Sequence, residues 1–136
     1  MSQSNGSDLE RYYQQVEENG YLRTEDNARR WSTAVLRALG INLDGRTKKR
    51  LAKTLPEALA YDLNRKWLLL QFRDKNKSRD VFLKEVARMS GNTDADFAVH
   101  PTRAVFHEVK AYAGEEVSND VADALAPEIG ELWQQA

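Results

Sequence analysis

The 136-residue sequence predicts an all-α protein: two tandem, internally duplicated four-helix units packed around a shared core, forming one compact domain. Three observations carry that expectation. Apolar residues recur at three- and four-residue spacing, the period of one helix face. Only seven glycines and three prolines interrupt the chain, too few for a turn-rich β fold. Finally, "FLKEVARMSG" at 82–91 repeats the apolar places of "YYQQVEENGY" at 12–21.

Residues 1–7 are polar and rich in Gly, Ser and Asn, and read as a disordered lead-in. The first repeat is expected over 8–72. Asp8 is the expected cap of its first helix, with Leu9, Tyr12, Tyr13 and Val16 on one stripe and a stop near Asn19-Gly20. Thr24 followed by Glu25 and Asp26 marks a second start, since acids favour the positive end of the helix dipole. Ala28, Trp31, Val35, Ala38 and Leu39 form its apolar face, and Gly40 is read as its stop. Asp44 or Gly45 opens a short third helix through Leu51 and Leu55. Pro56 begins a fourth, carrying Leu59 and Leu63, because proline is tolerated where no intrahelical donor is needed. Trp67 to Phe72 either extends it or connects onward.

A polar linker, "RDKNKS", covers 73–78, and the second repeat follows over 79–136. Ser78 caps a fifth helix with Phe82, Leu83 and Val86, stopped by Ser90-Gly91. Asp94 caps a sixth with Ala98, Val105, Val109 and Tyr112, ending at Gly114. Ser118 is read as the cap of a seventh and Pro127 as the start of an eighth. Pro101 stands inside the sixth, so that helix is expected either to bend there or to start near His100. A shift of 70 residues brings these elements into register: Tyr12 meets Phe82, Val16 Val86, Val35 Val105, Leu51 Val121, Leu55 Leu125 and Leu63 Trp133. Neither run of amphipathic helices can hide its apolar side alone, so two such units packed together share one core.

With no cysteine, disulfides, thiolate metal sites and cysteine nucleophiles are excluded, and a reducing, cytoplasmic setting is expected. The stretch "MSQSNGSDLE" has neither a basic start nor an apolar run and is not expected to act as a signal peptide, and "WLLLQF" at 67–72 is far too short to span a bilayer. Net charge is −1, but its distribution is segregated. Residues 1–45 hold five basic and seven acidic side chains, 46–88 thirteen and five, and 89–136 two and nine.

No phosphate-binding glycine loop, dinucleotide fingerprint, zinc-protease motif or nucleophile elbow occurs. His100 and His107 stand roughly 10 Å apart along a helix, too far to share a metal. Asp94 and Asp96 lack the glycine and glutamate that a calcium loop requires, so Asp94 reads as a cap. Trp31, Trp67 and Trp133 read as core. No catalytic, cofactor or metal residue is assigned, and the chain is expected not to be an enzyme.

The charged pattern is more specific. Arg46, Arg50 and Lys53 share one face of the third helix, with Lys48 and Lys49 beside them. In the 70-residue register they superpose on Glu116, Asp120 and Asp123, a stripe of the opposite sign. Such faces can pair within one chain or head to tail between chains. The alternative use of the basic segment 46–79, widened by Arg65, Lys66, Arg73, Lys75, Lys77 and Arg79, is phosphate-backbone binding.

The cadence of Phe82 with Val86, Ala104-Val105-Phe106 and Leu125-Ala126-Pro127 resembles a bacterial domain-of-unknown-function family, number 2267. Val16, Ala34-Val35-Leu36 and Leu55-Pro56 give the first half a similar look. The resemblance implies an all-helical repeat and carries over no catalytic residue. The expected function is therefore a non-enzymatic helical protein that acts through a protein partner or self-association. No membrane, small-molecule ligand or cofactor is expected.

Overall fold

The structure, a computed structural model, describes residues 2–65, 74–92 and 94–136. They form α1 (Ser2–Asn19), α2 (Glu25–Ile41), α3 (Gly45–Ala52), α4 (Glu57–Asn64), α5 (Arg79–Met89), α6 (Ala95–Ala124) and α7 (Pro127–Gln135). No strand occurs among the described residues, and the chain is all-α. The expected sixth and seventh helices run together as α6, broken only at Gly114, whose φ of 79° and ψ of 169° are non-helical. The segment Trp67–Phe72, including the expected core residue Trp67, lies outside the described residues.

Four starts follow from side-chain caps named by the sequence. Thr24, Asp44, Ser78 and Asp94 accept the backbone N–H groups of Asn27, Thr47, Val81 and Phe97 at 3.1, 3.2, 3.2 and 3.1 Å. Each satisfies one donor that the first turn leaves orphaned. Pro127 opens α7 as its first residue. Pro56 stands one place before α4, at φ −52° and ψ 149°.

Other expectations are corrected. α1 begins at Ser2, so the segment read as a disordered lead-in continues the helix and Asp8 is not its cap. Once a first turn has formed, each added residue gains a hydrogen bond, and no proline interrupts 2–7. Ser118 caps nothing, because α6 resumes at Glu115. Instead Ser118 accepts the Trp133 indole N–H, through its carbonyl at 3.0 Å and its hydroxyl at 3.2 Å. Pro101 neither starts α6 nor breaks its backbone angles, which stay helical up to Gly114. Leu55 lies beyond the end of α3 but is buried.

Two expected stop glycines have a packing role. Gly40 lies inside α2, and a Cβ there would fall 2.1 Å from the carbonyl oxygen of Leu63, at the end of α4. At Gly20 a Cβ would lie 2.6 Å from the Val16 oxygen and 3.2 Å from the Pro101 Cα. The residue that reverses the chain after α1 is Tyr21, at φ 58°. Its N–H bonds to the Glu18 carbonyl at 3.4 Å and the Leu22 N–H to the Glu17 carbonyl at 2.9 Å, a Schellman turn. The same pair of bonds closes α5, from Gly91 to Arg88 at 3.1 Å and from Asn92 to Ala87 at 2.9 Å. Gly91 takes the left-handed angle there, at φ 81°. A side chain in that conformation costs about 1–2 kcal/mol that glycine avoids.

α2 packs on α1, α4, α5 and α6, while α6 packs on α1, α2, α3, α5 and α7. Both therefore run through one continuous apolar cluster drawn from the whole described chain. Trp31, Leu36 and Leu39 of α2 meet Val105, Phe106 and Val109 of α6 in it, and Trp133 closes one side with its ring 5.1 Å from Phe106. Each such large side chain contributes about 1.5–3 kcal/mol on burial.

The Gly40 contact makes a sharp prediction. Gly40→Ala should destabilise the protein by about 3 kcal/mol in urea denaturation followed by far-UV circular dichroism, because backbone must move. Gly45→Ala, at a helix start with open space around it, should be neutral or stabilising by up to about 1 kcal/mol.

Candidate functional site

The charged stripes named by the sequence come together along the line where α3 packs on α6. Leu51 anchors α3 in the core and turns its polar side toward the part of α6 after Gly114. Arg50 stands at the centre. One guanidinium nitrogen hydrogen-bonds the Asp120 carboxylate and the other lies 3.6 Å from Glu116. The pairing is therefore within one chain. Arg50 and Asp120 are each more than one-third exposed and Glu116 is 88% exposed, so water screens the attraction.

The rest of the two stripes is not engaged in this way. Among the described residues no ion pair reaches Arg46, Lys49, Lys53 or Asp123, and all four are exposed. Lys48 is half-buried, its stem passing close to Gly40. A cleft of about 330 Å³ lies along the seam, lined by Asp44, Arg46, Thr47, Arg50, Asp120 and Asp123.

The wider basic patch is smaller than the sequence suggests. Lys77 is buried, its ammonium 2.5 Å from Glu85, whose other oxygen lies 3.5 Å from the Asn42 amide nitrogen. That pair ties the chain ahead of α5 to the end of α2 and leaves no charge at the surface. Lys66 and Arg73 lie outside the described residues. His100 meets Tyr21 and Phe97 edge-on, at 4.9 and 5.7 Å, whereas His107 is exposed beside Arg103 and Asn19. Asp94 is occupied as a cap, and Trp31 and Trp133 are core.

Several buried polar groups went unread in the sequence because each sits beside apolar positions on an inward face. The Tyr12 hydroxyl shares a 2.6 Å hydrogen bond with Ser32, and burial pushes its pKa well above the usual range. Asp62 accepts from Thr33 at 3.1 Å; burial raises its pKa, and the hydrogen bond and nearby Arg65 and Arg37 oppose that rise. Glu108 is paired with Arg11 at 3.1 Å. Lys110 donates to the carbonyls of Trp133, Gln134 and Ala136 at 3.0, 3.2 and 3.1 Å, closing the end of α7. No helix among the described residues is long and apolar enough to cross a membrane.

A double-mutant cycle on Arg50→Ala and Asp120→Ala should return a coupling of up to about 1 kcal/mol at low salt, falling toward zero as salt screens it. An equal coupling in high salt would mean that packing, not charge, joins these helices.

The comparison with curated proteins finds no match for the chain. A family model described as "Uncharacterized conserved protein (DUF2267)" matches residues 10–132, from the first buried turn of α1 to the last core leucine of α7. That span takes in the seam and both helices that build it, and the chain belongs to the DUF2267 family.

Proposed function

We propose that this protein is a duplicated helical interaction module of the cytoplasm, without enzymatic activity, that binds a protein partner or a second copy of itself through charged helix faces. Duplication is supported by local geometry as well as by pattern. Helices start at 25 and 95, at 45 and, after the Gly114 break, at 115, and at 57 and 127. The two Schellman turns, with positive φ at Tyr21 and Gly91, are also 70 apart. Leu36 and Phe106, Leu51 and Val121, Leu59 and Ile129, and Leu63 and Trp133 are buried pairs at the same spacing.

The contact between the second helix and the last helix of each unit follows the same rule with different chemistry. Gly40 approaches the Leu63 carbonyl closely, and 70 residues on Lys110 donates to the Trp133 carbonyl. The Tyr12–Ser32 hydrogen bond has a broken counterpart. Phe82 takes the place of the tyrosine, and the buried Thr102 hydroxyl has no hydrogen-bond partner among the described residues. Phe82→Tyr should therefore supply that partner and raise stability by up to about 1 kcal/mol in chemical denaturation. A loss of stability would count against equivalent packing in the two units.

One observation carries the functional reading: α3 turns Arg46, Lys49 and Lys53 outward while Arg50 is held by the acidic stripe. A compact face of three cations, without carboxylate partners among the described residues, suits an acidic protein surface. Phosphate-backbone binding draws on the same face, but Arg50 is committed to Asp120 and Lys77 to Glu85, so few contacts remain. Light scattering at low and high salt, with duplex DNA titrated in parallel, separates the two. Salt-sensitive self-association lost in Arg46→Glu/Lys49→Glu/Lys53→Glu is the expected result. A monomer that instead binds the duplex, with affinity falling steeply in salt, would establish the nucleic-acid reading.

A further inference from the structure

The turn between α1 and α2 holds three residues that work against its own stability. Tyr21 is a bulky side chain at φ 58°, in a turn whose counterpart after α5 is closed by Gly91. Its ring is not stored in the core: Tyr21 is 69% exposed and touches the imidazole of His100, itself against Phe97. Glu17 and Glu18 occupy the last turn of α1, the negative end of the helix dipole, and that turn carries no basic residue of its own. Glu17, Glu18, Gln14 and Leu22 line a cleft of about 500 Å³ at that end of α1. Local choices that oppose the fold mark places where something other than stability is served.

Resting on the proposed self-association, we infer that this turn is the acceptor surface for α3 of a second copy. Carboxylates next to an exposed aromatic face suit a cation, which can lie over the ring while it meets an acid. The chain carries such cations on one helix: Arg46, Lys49 and Lys53 are exposed, and no acid of the same chain pairs with them among the described residues. From Arg46 to Lys53 is roughly 10 Å of helical rise, enough for one cation to reach Tyr21 and another the Glu17–Glu18 pair. The acidic stripe that α3 could otherwise have offered to meet is already engaged by Arg50.

The two surfaces sit at separate places on the fold. The turn lies against α6 before Gly114, through His100, whereas α3 lies against α6 beyond it, through Glu116 and Asp120. The contact is therefore heterologous: each copy offers one α3 and one acceptor turn, and copies add head to tail. Charge sets the partner and the register, while the Tyr21 ring supplies the desolvated anchor.

Sedimentation velocity at low salt, up to about 1 mM protein, tests this with three variants of the full chain. Tyr21→Gly relieves the left-handed strain, so it should raise the melting temperature while weakening self-association about tenfold or more. Glu17→Lys/Glu18→Lys should likewise keep or raise stability and abolish association, as should Arg46→Glu/Lys49→Glu/Lys53→Glu. Mixed together, the last two variants should regain association, since each retains one native surface and the two reversed surfaces are again opposite in charge. Association lost on α3 reversal but unchanged in Tyr21→Gly and Glu17→Lys/Glu18→Lys would overturn the turn as acceptor and leave the role of α3 intact. A lower melting temperature for Tyr21→Gly would assign the ring a structural role and overturn the inference. A wild-type monomer throughout the range would overturn it too, leaving only an unlike protein partner for the proposed function.

Discussion

α2 and the part of α6 before Gly114 are enclosed by helices from both ends of the chain, and neither could bury its apolar surface without the other. Trp31, Ala34, Val35, Leu36, Ala38 and Leu39 are all buried on α2, covering far more than a single stripe. Ala98, Val105, Phe106 and Val109 do the same on α6. A helix that is apolar on so many sides must sit in the middle of a protein. The shorter helices are arranged around this pair. α4 closes on α2 where Gly40 leaves room for a carbonyl, and α7 closes on α6 where Lys110 reaches one. Pro101 lies in α6 where the small Gly20 lets the end of α1 come against it.

Charge follows from that packing and does not direct it. The ion pair drawn furthest from water is Lys77–Glu85, which ties the segment ahead of α5 to α5, whereas in Arg11–Glu108 only the glutamate is buried. A buried pair of this kind costs desolvation and restricts which arrangement is permitted, more than it adds stability. The Arg50 seam belongs to another class. Its groups are screened by water, so it contributes little to folding but engages Glu116 and Asp120 and leaves the outer cations of α3 unmatched among the described residues.

Much of this was legible along the chain, and the reasons are local. Cap residues act within three positions of themselves, so Thr24, Asp44, Ser78 and Asp94 could be named from their neighbours. Helical periodicity marked the inward faces, and Tyr12, Val16, Val35, Leu51, Val86 and Val105 are all fully buried. Misread residues had partners beyond their own local turn of chain. Gly40 looked like a stop because glycine commonly is one, yet its reason is the Leu63 carbonyl. Lys77 looked like surface charge because its neighbours are polar, yet Glu85 and the closing of the fold bury it.

The sequence by itself determined the helical class, most helix starts, the apolar faces and the opposite signs of two charged stripes. Spacing, caps and composition decide these within a turn or two of helix. Only the tertiary structure decided that the stripes meet through Arg50, that Tyr21 and not Gly20 takes the left-handed turn, and which cations stay in water. Those outcomes depend on which helices pack against which, and contacts across 70 residues or more leave no trace in the local pattern.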